Sequence, residues 1–211
     1  MDIYIGLDVS LASTAVCVLS SHGKVVKEIT ALSEPDDLER VLRSLLGTVV
    51  AVGLEAGPLS QWLYRHLTEA GFDTVLMETR QVKGALKAMP IKTDRRDAEG
   101  IARLLHMGWF RPVHCKSISA QEMRALLSSR KAILQAIVAL ELSIRGVLRN
   151  FGLKMGRIAK GGLEDRVLEL ADGNVMLQAA ARPVLSARAA LRLELAGLEK
   201  RVRDHAKSDP V

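Results

Sequence analysis

Aromatic side chains are scarce in this sequence: Phe, Trp and Tyr together make up 3% of its 211 residues. So few rings argue against stacking of nucleobases on exposed aromatics as a main mode of binding. Cysteine is rarer still. Cys17 and Cys115 lie far apart with no metal-type spacing, which argues against a disulfide framework or a zinc knuckle and leaves both as packing residues. No charge-free apolar stretch approaches the roughly 20 residues that span a bilayer, and the N-terminus has no basic segment followed by an apolar one. These absences predict a cytoplasmic chain without a membrane partner. His22, His66, His106, His114 and His205 are scattered with no catalytic partner beside them and read as surface or packing residues.

What is present is enough to build a core. Hydrophobic residues make up 48% of the chain, and its length suits one ordinary domain with an appendage. The net charge of +6 conceals an asymmetry: residues 1–110 carry 12 Lys and Arg against 14 Asp and Glu, whereas residues 111–211 carry 18 against 10. A basic second half suits a polyanion partner, because Lys and Arg that neutralise phosphates release counterions. An Arg-rich helical surface that is merely solvated produces the same asymmetry, and charge alone does not separate the two.

The first 110 residues alternate strand and helix signals. Residues 3–9, 14–21 and 24–32 read as three antiparallel strands, the last pair joined by Ser21-His22-Gly23. Ser33 looks like an N-cap ahead of Pro35, Asp36 and Asp37, followed by an apolar stripe of Leu38, Val41, Leu42, Leu45 and Leu46 that Gly47 stops. A strand over 49–55, a helix opened by Pro58 and closed by Gly71, and a strand over 73–78 follow. A short helix from Thr79 is ended by Pro90, and another runs from Asp94 to Met107. The order βββαβαβα predicts an α/β, ribonuclease-H-like mixed five-stranded sheet whose first strand is central and lies beside the fourth.

Four carboxylates stand where strands end or a helix begins. Asp8 closes the run Ile3-Tyr4-Ile5-Gly6-Leu7, Glu55 closes Val49-Val50-Ala51-Val52-Gly53-Leu54, and Asp94 and Asp97 share a face one helical turn apart. Taken alone, Asp94 serves as a cap and Asp97 as a first-turn acid favoured by the helix dipole. Taken with the two strand-end acids, which the fold order makes neighbours, they form the oxygen-rich set that hard divalent cations take at phosphodiester sites. A sugar-kinase or actin-like phosphotransferase also opens on Gly-x-Asp. That class repeats its fold and carries glycine-rich phosphate loops, and neither is visible here.

The second half reads as helical. Ser119-Ala120-Gln121-Glu122 looks like a capping box, and apolar residues at helical spacing carry the helix to Phe151. A loop over 152–162 with four glycines, Lys154, Arg157 and Lys160 leads to a helix over 163–171 and a last helical stretch over about 175–207, interrupted or kinked at Pro183. Such stripes predict a coiled-coil or bundle region, with pairing between molecules because one hairpin alone buries little. The expected division is therefore residues 1–112 and 113–211. Arg124, Arg130, Lys131, Arg145, Arg149, Arg182, Arg188, Arg192, Arg201 and Arg203 are the polar-face cations available to a nucleic acid.

The stretches Ile5-Gly6-Leu7-Asp8-Val9-Ser10, Glu55-Ala56-Gly57-Pro58, Glu69-Ala70-Gly71-Phe72, Arg80-Gln81-Val82-Lys83 and above all Lys92-Thr93-Asp94-Arg95-Arg96-Asp97-Ala98 resemble the DEDD transposases of bacterial insertion sequences. The resemblance continues through Arg111-Pro112 and Leu148-Arg149-Asn150-Phe151-Gly152-Leu153-Lys154 to Ala206-Lys207-Ser208-Asp209-Pro210. That family comprises bridge-RNA-guided recombinases. The resemblance implies a RuvC-like domain in which Asp8, Glu55, Asp94 and Asp97 are catalytic and hold Mg2+, with Mn2+ as a substitute. Lys92, Arg95 and Arg96 beside the quartet, and Arg124, Arg130, Lys131, Arg145, Arg149 and Lys154 beyond it, would contact DNA or the guide RNA. It further implies homo-oligomers through the helical region, and a C-terminal domain whose serine is the nucleophile. Since the sequence stops before such a domain, the chain is expected to bind metal without efficient strand exchange. Ser10, Ser60 and Ser128 match no nucleophile motif. A non-catalytic nucleic-acid-binding and oligomerisation module is the alternative.

Overall fold

In the computed structural model, residues 1–87, 93–159 and 161–208 are described, and they fall into two units, Met1–Lys116 and Ser117–Val211. The first unit opens with β1 (Asp2–Val9), β2 (Ser13–Ser20) and β3 (Val25–Leu32), then α1 (Pro35–Arg43), β4 (Thr48–Glu55), α2 (Ser60–Glu69), β5 (Thr74–Met77), α3 (Thr79–Leu86) and α4 (Asp94–His106). The sheet order is β3-β2-β1-β4-β5. β1 runs antiparallel to β2 and parallel to β4, and β5 runs parallel to β4. This is the ribonuclease-H-like arrangement, with β1 in the middle.

A central strand is covered on both faces, and β1 shows how its sequence meets that demand. Ile3, Ile5 and Leu7 join a core with Leu38 and Leu42 of α1 and Leu63 and Leu67 of α2. Each such fully buried aliphatic side chain is worth about 1.5–3 kcal/mol of transfer free energy. On the opposite face the intervening position is Gly6, and α4 lies directly over it. A Cβ at Gly6 would stand 2.2 Å from the Ala98 carbonyl oxygen and 2.4 Å from the Ala102 nitrogen. Gly53, its partner in the β1–β4 register, continues the same shallow track. At Gly6 only a glycine permits this approach, because the atoms it would meet are backbone of α4; at Gly53 an added carbon would meet side chains instead.

Ala98 and Ala102 belong to a buried cluster with Cys17 and Leu19 of β2. Burial pushes the Cys17 thiol up to about 12, with the negative charges of Glu99 and Glu28 adding to the effect. The thiol is therefore protonated and unreactive, a packing residue as its surroundings suggest.

Two details of the first helix differ from the sequence expectation. Ser33 is not its N-cap: Glu34 takes that position, with no side-chain cap bond, and Pro35 opens the helix. Ser33 is instead buried, where its hydroxyl donates to the Ser10 carbonyl at 2.8 Å and bonds the Thr14 hydroxyl at 2.7 Å. A hydroxyl already committed to β2 and the end of β1 is not available to cap. The helix also stops at Arg43, before Leu45 and Leu46. Leu45 still joins the core of Leu38 and Leu42, whereas Leu46 is left 92% exposed, so the helix ends one turn sooner than the stripe suggested. The proline expected to end α3, Pro90, lies outside the described residues.

The second unit is helical: α5 (Ile118–Asn150), α6 (Leu163–Leu170) and α7 (Val175–Ser208). Ser117, not Ser119, caps α5, its side chain accepting from the Ala120 nitrogen, so the helix begins two residues earlier than the apparent capping box implied. Pro183 lies inside α7, which runs on past it. Ion pairs join α5 to α7 in antiparallel order, Arg130 to Glu199 at 2.8 Å and Arg188 to Glu141 at 2.7 Å. Ile144 and Leu148 of α5 pack with Leu163 and Val167 of α6 and Leu177 and Leu185 of α7. The helical pair therefore has a core of its own at one end, closed by α6, and pairs within a single chain.

Candidate active site

Parallel pairing of β1 with β4 sets the first two acids. Leu7 is in register with Leu54, so Asp8 and Glu55 leave the sheet side by side at the C-terminal ends of neighbouring strands. That edge of a parallel pair is where α/β sheets present ligand sites. The third acid arrives with α4. Thr93 caps this helix, its hydroxyl oxygen accepting from the Arg96 nitrogen at 3.3 Å, and Asp94 is the first helical residue. Because α4 rests on Gly6 through Ala98 and Ala102, its first turn is carried to the sheet end where Asp8 stands.

Asp8, Glu55 and Asp97 line one cleft of about 390 Å³, together with Ser10, Ser60 and Lys83. Asp94 is exposed and is not among the lining residues, although it begins the same turn. Of the flanking cations, Arg95 approaches Glu28 at 3.4 Å, Arg96 is exposed, and Lys92 lies outside the described residues. The two serines of the cleft hold its loops. Ser10 donates to the Ser13 carbonyl at 2.6 Å, and Ser60 both donates to the Gly57 carbonyl and accepts from the Gly57 nitrogen.

Hard carboxylate oxygens around an open cleft are the right donors for Mg2+ or Mn2+. Among the described residues no three His, Cys, Asp or Glu side chains are arranged to hold an ion as they stand. Carboxylates facing one another repel, so a set of this kind draws together only around positive charge. The donor set fits a divalent cation in kind, and its side chains would have to converge to bind one.

Lys83 was missed as a site residue by sequence reasoning. Its ammonium lies 3.9 Å from Glu55 Oε1, with the lysine side chain 66% exposed and the glutamate 23%. A signal existed. α3 begins at Thr79, directly after β5, and β5 ends at the same sheet edge as β1 and β4; the Thr79 hydroxyl donates to the Ala56 carbonyl at 2.7 Å and fixes the helix there. Lys83 is one turn further on. Its positive charge competes with any ion that Glu55 would bind, so Lys83→Met is expected to tighten Mn2+ binding by about threefold to fivefold, the scale of an exposed ion pair. Titration calorimetry measures it, and an unchanged or weaker affinity counts against the competition.

Of the cations on the helical unit, Arg130 and the buried Arg188 are paired with Glu199 and Glu141, and Arg192 lies 3.6 Å from Glu141. These are ties between α5 and α7. Arg124, Lys131 and Arg149 are exposed on α5 and Lys154 is exposed beyond it, while Arg145 is half-buried. Among the described residues, no helix is long and apolar enough to cross a membrane.

Comparison with known proteins adds to this geometry. A family model for DEDD transposases of the IS110 type, described as transposase, matches residues 5–152. The chain is 30% identical over 202 residues to the transposase for insertion sequence element IS1111A of Coxiella burnetii, an overlap covering 95% of this chain and 53% of that protein. The chain spans about half the length of the curated relatives it matches. Among solved structures, Thermus thermophilus RuvC superposes with a TM-score of 0.40 at 16% identity, covering 53% of this chain and 99% of that one. The same protein in complex with a Holliday junction substrate gives 0.33 at 17% identity, with 53% and 99% covered.

Proposed function

The chain belongs to the DEDD transposases of the IS110 type, and from that premise we propose that its acidic cleft serves metal-dependent cleavage and strand transfer of DNA in insertion-sequence transposition. The observation that carries this reading is the meeting of Asp8, Glu55 and Asp97 on one cleft from three different elements. These three would hold Mg2+ or Mn2+ through carboxylate oxygens, with Asp94 as a fourth acid one turn away. Bound there, divalent ions polarise a phosphoryl group and stabilise a leaving oxygen. Lys83, at the rim, suits contact with a phosphate once Glu55 is occupied. Arg95 and Arg96 in the first turn of α4, with Lys92 before it, would extend that contact along the strand.

Ser10 and Ser60, the serines that line the cleft, are engaged in their loops, and neither they nor Ser128 matches a nucleophile motif. We infer that the nucleophile comes from a further domain of the family. The chain alone then binds metal without efficient strand exchange, and measurable recombination by it would overturn that part. Guidance by an RNA belongs to the same proposal, supported by the basic second unit, as does a cytoplasmic location. Self-association through α5 is supported by its exposed Leu127, Leu134, Val138 and Leu142.

A second reading, a nucleic-acid-binding and oligomerisation module without chemistry, draws on the basic helices, where Arg124, Lys131 and Arg149 are exposed on α5. Calorimetric titration of the chain with Mn2+ separates the two. Saturable binding that Asp8→Asn abolishes is expected; heats no greater than dilution favour the module.

A further inference from the structure

The end of α5 folds back on itself in a Schellman arrangement. Gly152 adopts φ 74°, its N–H meets the Arg149 carbonyl at 2.9 Å, and the Leu153 N–H meets the Leu148 carbonyl at 3.0 Å. Leu153 packs against the core that contains Leu148, which anchors the reversal. The chain is thereby brought back along the last turns of its own helix, and Lys154 comes to share a cleft of about 260 Å³ with Arg145 and Arg149. Leu153, Met155 and Gly156 complete the lining, with no acid among them.

Three cations in one small cleft are not explained by helix stability. Arg145 and Arg149 are one turn apart on α5, and like charges at that spacing repel. The negative end of the helix dipole favours a cation in the last turn, which accounts for Arg149 but not for Arg145 before it. Elsewhere in this unit the arginines that face the helical pair are matched by acids, as Arg130 and Arg188 are. Arg145, Arg149 and Lys154 make no ion pair among the described residues. They offer only donors, and their natural complement is an anion with several acceptor oxygens.

We propose that this cleft binds a backbone phosphate of a nucleic-acid strand. It is a positioning site in a different unit from the acidic cleft, and its contact is independent of base sequence. The proposal rests on the reading that the chain handles nucleic acid, but it requires no metal.

The test uses the whole 211-residue chain, a labelled DNA duplex and a labelled RNA hairpin, with affinity followed by fluorescence polarisation across a salt series. The triple substitution Arg145→Gln, Arg149→Gln, Lys154→Gln is expected to weaken binding about tenfold, with the slope of log K on log salt reduced by about 1 for each phosphate that is no longer neutralised. Removing the same charge from exposed lysines that line neither cleft, by Lys24→Gln, Lys27→Gln and Lys200→Gln, is expected to cost less than threefold. Loss confined to the RNA or to the DNA supports the site and assigns its strand. Equal losses in the two triples, or no binding of either oligonucleotide by the parent, overturn it. Lys154→Gln alone, at an exposed loop position, is expected to weaken binding about threefold and covers the case in which the triple substitution impairs folding. Mn2+ titration of the same variants keeps the acidic cleft separate, since its failure would leave the oligonucleotide result standing.

Discussion

Gly6→Ala is expected to destabilise the first unit by about 3 kcal/mol or more and to weaken Mn2+ binding with it. Overfilling a packed interior ordinarily costs about 1–3 kcal/mol because side chains can turn aside. Here they cannot: the new methyl meets the backbone of α4, the Ala98 oxygen at 2.2 Å and the Ala102 nitrogen at 2.4 Å. Relief requires the whole helix to lift, and α4 is the element that carries Asp97 to Asp8. Two neighbouring substitutions set the scale. At Gly53 the added carbon would meet the flexible end of Met77 at 2.7 Å, so Gly53→Ala is expected to cost about 1 kcal/mol. At Gly197 in α7 nothing lies within 4 Å, and Gly197→Ala is expected to stabilise by about 0.5–1 kcal/mol. Urea unfolding followed by the fluorescence of Trp62 and Trp109, both in the first unit, resolves the Gly6 and Gly53 effects, and circular dichroism follows Gly197. A Gly6→Ala variant within 1 kcal/mol of the parent would show that α4 does not bear on β1 this closely.

The second large effect concerns the acids themselves. Neutralising two of them, with Asp8→Asn and Asp97→Asn together, is expected to remove the stabilisation that a divalent cation supplies, because two of its carboxylate ligands are lost. The difference emerges with metal. At an Mn2+ concentration 100 times its Kd the parent gains about 2.7 kcal/mol by linkage, whereas the double variant gains almost nothing. Thermal melts with and without Mn2+ measure both arms. Asp94→Asn is expected to fall between them, since Asp94 starts the same helical turn without lining the cleft. A double variant stabilised by Mn2+ as much as the parent would remove these acids from the metal site.

Much of this protein was legible in its sequence because local patterns reported it. Apolar runs punctuated by glycine and proline marked five strands and the helices between them, and their order implied the sheet. Asp8 and Glu55 could be placed side by side from strand order alone, since both close a buried strand and a parallel pair puts such ends together. The helix over 94–106 declared itself through its first-turn acids and its apolar face. Local pattern misled at Ser33 and Ser119, where a serine ahead of a helix looked like a cap. A hydroxyl's partner depends on what else comes within reach, and for Ser33 that was Thr14 and Ser10, 19 and 23 residues away in sequence.

The chain's own chemistry thus determined which residue types stand at strand ends and helix starts, and with them the acids and the basic second half. Tertiary structure alone decided which of those groups meet. Gly6 and Gly53 come into register only when β1 pairs with β4, and the track they form seats α4 so that Asp97, rather than Asp94, lines the cleft. Lys83 joins it because β5 ends at the same sheet edge, and Lys154 reaches Arg145 and Arg149 because a glycine with positive φ reverses the chain. Periodicity along a chain records which face a residue occupies. Proximity between elements is set by packing, which no single stretch of sequence contains.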